Sequence, residues 1–141
     1  MASFSRAEYA LKSAEYAIGN ENKVDPAWDR YANEIHDDFI NIKEKPIVDA
    51  ASYLLNNPPR KQVLEGNKVK FVNQTVDHKQ KSTQQILRMV RTVRNNLFHG
   101  GKYLLDGEQE PGRNQELVAS SLTVLKACIS LKVEVNASYE H

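Results

Sequence analysis

The stretch Ser82-Thr83-Gln84-Gln85-Ile86-Leu87-Arg88-Met89-Val90-Arg91-Thr92-Val93-Arg94-Asn95-Asn96-Leu97-Phe98-His99 reads as one complete helix. Ser82 and Gln85 stand at the spacing of a capping box, in which a hydroxyl and a side-chain amide each satisfy a free backbone amide at the helix start. Gly100-Gly101 supplies the C-cap. At about 100° per residue, Ile86, Val90, Val93 and Leu97 fall on one stripe that must face a core. Arg88, Arg91, Thr92, Asn95 and His99 form a second stripe on the opposite side, and it contains no carboxylate. A solvent-facing helix ordinarily mixes signs and gains weak i,i+4 pairs. This row offers only donors to phosphate oxygens and one titratable group.

The residues upstream continue the basic theme. From 56 to 102 there are ten basic residues and two acidic ones, Glu65 and Asp77, so the segment carries +8 and the remainder −7 within a net charge of +1. Such separation suits a protein that presents one positive surface to a polyanion while staying nearly neutral. Within this tract, residues 60–81 are polar, with Val69-Lys70-Phe71-Val72 as the alternating piece. A long structureless loop is uncommon in a compact domain, so a short helix, a hairpin fragment or a functional flap is expected there.

Helical spacing recurs on both sides. Ala7, Leu11, Ala14 and Ile18 predict a first helix over residues 6–19, closed by Gly19-Asn20. Asp25-Pro26 reads as an N-cap followed by proline at the first helical position. The helix it opens places Trp28, Tyr31, Ile35, Phe39 and Ile42 at steps of three and four. A shorter helix follows Pro46 through Ile47, Ala50, Ala51 and Leu54 until Asn56-Asn57-Pro58-Pro59 stops it. A last helix, roughly 113–135, is apolar on two sides, which predicts a central place in the bundle or a subunit interface. The fold expected is all-α: a single domain over 1–141, built as one antiparallel bundle of four to five helices.

Other readings narrow the function. No run reaches the roughly 20 apolar residues of a membrane span, and Met1 to Arg6 lacks the apolar core of a signal peptide, so no membrane association and a cytoplasmic location are expected. Cys128, the single cysteine, lies in an apolar stretch and is expected in the core. His36-Asp37-Asp38 points in three directions on a helix, so no metal site is expected. Gly100-Gly101 follows a helix instead of opening one, so it makes no phosphate cradle. No cofactor is expected.

The motif within the capped helix narrows it further. Arg94 and His99 stand about 140° apart on an ideal helix. For both to reach one phosphate, the arginine must reach around, the last turn must distort, or two copies of the helix must meet across a twofold axis.

Arg94-Asn95-Asn96-Leu97-Phe98-His99 resembles the Arg-x4-His motif of HEPN domains: an arginine, a polar residue, a few positions and a histidine near the end of a long helix. The likeness is specific over about residues 82–103 and architectural elsewhere. It implies a metal-independent endoribonuclease, with Arg94 and His99 catalytic and Asn95 orienting them. It also implies a homodimer in which two motifs form one composite RNA-cleaving cleft, and a place in a toxin or antiphage defence system with an antitoxin or defence-system partner protein. Arg88, Arg91, Asn96, Lys102 and Tyr103 are the expected RNA contacts. Some toxins of this family place a tyrosine two residues after the histidine; here that position is Gly101. The alternative is a noncatalytic module of the same type that binds RNA, a nucleotide or a partner protein.

Overall fold

A computed structural model describes residues 2–14, 16–20, 23–74, 79–99 and 113–140. Among the described residues there are six helices: α1 (Ala2–Ser13), α2 (Trp28–Ile40), α3 (Lys45–Asn56), α4 (Ser82–His99), α5 (Arg113–Ser130) and α6 (Val133–Glu140). Two antiparallel hairpins accompany them, β1 (Ala17–Asn20) with β2 (Lys23–Pro26), and β3 (Lys61–Glu65) with β4 (Lys68–Val72). The protein is all-α in class, a helical bundle carrying two short ribbons. No described helix is long and apolar enough to cross a membrane.

One core joins residues from all six helices, including Phe4 and Leu11, Tyr31 and Ile35, Leu54, Leu87 and Val90, Leu125 and Ile129, and Val135. The two-sided apolar character of α5 has its explanation here. That helix contacts α1, α2, α3, α4 and α6, so it is central. The predicted last helix is broken at Leu131-Lys132, where the amides of both residues bond back three positions to Cys128 and Ile129 in a tighter turn. Tyr31 spans this centre: its buried hydroxyl donates to the Cys128 carbonyl at 2.6 Å. At the periphery, the Arg6 guanidinium donates to the Tyr139 carbonyl and lies over the Tyr139 ring, tying α1 to α6.

The first helix ends six residues earlier than its spacing predicts. Ile18 fits the stripe of Ala7, Leu11 and Ala14, yet it lies in β1 and is 57% exposed. Asp25-Pro26 likewise does not open α2. Both residues belong to β2, with Ile18 opposite Asp25 and Ala17 opposite Pro26. The Ala27 amide then donates to the Tyr16 carbonyl at 2.8 Å, and α2 begins after Ala27 with no side-chain cap. Strand pairing has overridden the local helix signal.

The basic tract forms the β3–β4 hairpin, with Glu65 opposite Lys68 across a two-residue turn. Gly66 takes φ +64 there, the left-handed conformation that such turns demand and that glycine adopts without strain. In α4, Gln85 turns back as a capping-box residue does, but its amide donates to the Gln80 carbonyl at 2.9 Å. Thr83, fully buried, meets His36 Nδ1 at 2.8 Å and anchors the start of α4 against α2.

Candidate functional site

The four predicted core positions of α4 divide: Ile86, Val90 and Val93 are buried and Leu97 is half-buried. Leu87 and Met89 are buried as well, so more than one stripe of the helix is covered. The polar stripe also divides. Arg88, Arg91 and Asn95 are exposed. Thr92 is buried; its hydroxyl donates to the Arg88 carbonyl at 3.1 Å and accepts from Gln74 Nε2 at 2.5 Å. Asn96, one position beyond the stripe, is buried and donates through Nδ2 to the Arg60 carbonyl at 2.8 Å. The β3–β4 hairpin and its exit therefore lie against one flank of the motif helix. Asn96, expected as an RNA contact, is engaged in holding that flank.

The other flank opens into a cleft of about 360 Å³. Phe4, Ile18, Pro26, Trp28 and Val90 give it an apolar wall; Glu8, Arg91, Arg94 and Asn95 give it a polar one. Three expected site residues, Arg91, Arg94 and Asn95, are thus brought to one place. Arg88 is exposed but does not line the cleft. His99 is the last residue of α4, and its side chain lies outside the described residues, as do Lys102 and Tyr103.

Arg94 is the best-held side chain of the polar wall. Its Nη1 donates to Asn95 Oδ1 at 3.1 Å, and its Nε lies 2.8 Å from Glu8 Oε1 in an ion pair that is off-axis for a hydrogen bond. Both partners are largely covered, at 24% and 21% side-chain exposure. The stripe on α4 is free of acid along its own helix, but α1 brings a carboxylate to Arg94 beside it. Sequence reasoning missed Glu8, because it stands 86 positions from Arg94 and nothing in α1 marks it. The signal available was indirect: a guanidinium beside a core stripe needs a partner, and α4 has none to give.

The site combines two guanidiniums, one carboxylate, one carboxamide and an apolar wall. It suits an anion carried on a flat or apolar body, held by charge-assisted hydrogen bonds. In His36-Asp37-Asp38, His36 is bonded to Thr83, while Asp37 and Asp38 are exposed. Among the described residues no group of three or more His, Cys, Asp or Glu side chains is placed to hold a metal ion.

No protein-family model, curated protein or solved structure matches this chain.

Proposed function

We propose that this chain is a metal-independent endoribonuclease of the HEPN type, acting in the cytoplasm as a homodimer whose two motifs form one RNA-cleaving cleft. The observation that carries the reading is the placement of Arg94 and Asn95 beside exposed Arg91 on the wall of an open cleft, on the helix that His99 ends. In the proposed reaction a ribose 2′-hydroxyl attacks the adjacent phosphorus and the bond to the 5′-oxygen breaks, leaving a 2′,3′-cyclic phosphate and a 5′-hydroxyl. His99 moves the proton, as a group that titrates near neutrality does in general acid–base catalysis. Arg94 stabilises the charge that builds on the phosphoryl oxygens, Asn95 orients the guanidinium, and Arg88 and Arg91 hold the RNA backbone. A toxin or antiphage system, with an antitoxin or other defence protein as partner, is the setting this activity fits.

The test is RNA cleavage in EDTA. The wild type cuts, and His99→Ala or Arg94→Ala removes cutting while far-UV circular dichroism stays helical. Persistent cleavage by the His99 variant overturns the reading. One observation favours the noncatalytic alternative: the Arg94 guanidinium is already paired with Glu8. That alternative predicts salt-sensitive RNA binding with the RNA recovered intact.

A further inference from the structure

Glu8 Oε1 lies 2.8 Å from Arg94 Nε and so competes with an incoming phosphate oxygen for the guanidinium. Its backbone is fixed, because Phe4, Ala7, Ala10 and Leu11 bury the other face of α1. Its side chain alone can turn aside. The ion pair is about a fifth to a quarter exposed, so water screens it and it is exchangeable. A phosphate arriving at Arg94 either displaces the carboxylate or sits beside it and bears a like charge at close range, an unfavourable arrangement in a partly covered site. A single phosphate gains one ion pair and loses one. A chain of phosphates gains more, because Arg91 is exposed, without an ion pair among the described residues, and lies on the same cleft wall with Asn95.

We propose that Glu8 is an internal anion that gates Arg94, setting a threshold that a polyanionic chain passes and a single phosphate does not. Glu8 then sets how many anionic contacts a ligand must make before it occupies the cleft. The inference rests on the reading above for the identity of the chain as RNA. The gate adds the same penalty for either ligand, but only the chain has the further contacts that overcome it at low concentration.

Trp28 makes the test direct. It is the only tryptophan in the chain, and it lies on the cleft wall at 8% exposure, so its fluorescence reports occupancy. The wild type, Glu8→Gln, Arg94→Gln and the double variant are titrated with inorganic phosphate and with a short single-stranded RNA whose 2′-O-methyl groups block cleavage. Glu8→Gln is expected to tighten both ligands about tenfold, roughly 1.4 kcal/mol, and to do nothing in the Arg94→Gln background. A role limited to packing α1 does not produce that coupling. If Glu8→Gln fails to fold, Glu8→Ala, which keeps good helix propensity, carries the same expectation. Unchanged or weaker binding by the Glu8 variant overturns the gate, and leaves the ribonuclease reading standing if the wild type cuts RNA. Tighter phosphate binding by the Glu8 variant with no RNA affinity in any form supports the gate and overturns the RNA reading.

Discussion

Asn96 and Arg60 are joined by one hydrogen bond, from the Asn96 carboxamide to the Arg60 backbone carbonyl at 2.8 Å, and it fastens the start of the β3–β4 hairpin to the last turn of the motif helix. Asn96→Ala removes that bond from a buried position and is expected to cost about 1–2 kcal/mol. The check is hydrogen exchange: amides of residues 61–72 lose protection while those of α2 keep theirs. Equal loss in both regions sinks the idea that Asn96 docks the hairpin.

Tyr31→Phe deletes the hydroxyl that bridges α2 to the end of α5. The Cys128 carbonyl keeps a second partner, the Leu131 amide at 3.2 Å, so the expected loss is at the low end, about 1 kcal/mol. Urea unfolding reads it as a lower midpoint at unchanged slope. A loss several times larger implies that the hydroxyl does more than satisfy this carbonyl.

Leu54 is fully buried on α3, against the central helix α5 and away from the cleft lining. Leu54→Ala leaves a cavity and is expected to destabilise by about 2–5 kcal/mol. Ligand-dependent Trp28 fluorescence of the folded variant stays unchanged. A shifted ligand affinity means that the α3 layer is coupled to the cleft.

Burial in an apolar core pushes the Cys128 thiol well above its ordinary range, because the thiolate loses its hydration there. The native protein therefore resists alkylation at mildly alkaline pH, and unfolded protein reacts at once. The folded state holds the proton longer than the unfolded one. This contribution to stability is complete below the ordinary thiol range and is lost as the pH rises from there toward the elevated value. Stability measured against pH in the Cys128→Ser background lacks that alkaline decline. A decline of equal size in both proteins assigns it to other groups.

The helices that pack by periodicity were legible. Trp28, Tyr31, Ile35 and Phe39 are buried in α2, Ala50 and Leu54 in α3, and Ile86, Val90 and Val93 in α4, each at its predicted spacing. The errors fall where two local signals compete. Ala14 to Ile18 continues a helical step, and Asp25-Pro26 imitates a helix start, but pairing between the two segments satisfies both backbones as a hairpin. Only the partner strand reveals this. In the site, spacing placed Arg91 and Asn95 on one side of α4 and set Arg94 apart, whereas the fold gathers all three at one cleft. The cleft wall comes from α1, the first hairpin and α2, and ideal-helix angles along α4 carry no information about those elements.

Three of the long-range bonds share a property. Tyr31 ends on the carbonyl of Cys128, Asn96 on that of Arg60 and Arg6 on that of Tyr139. Each hydrogen bond constrains the side chain at its donor end and takes only a backbone oxygen at the other, which every amino acid supplies; at residue 139 the tyrosine ring adds a contact of its own with Arg6. Substitution at positions 60 and 128 therefore leaves no compensating change at 96 and 31. Methods that infer proximity from correlated substitution are blind to those two ties, and in a redesign the bonds themselves ask of positions 60 and 128 only that the backbone path be kept, the packing of the buried residue 128 being a separate demand.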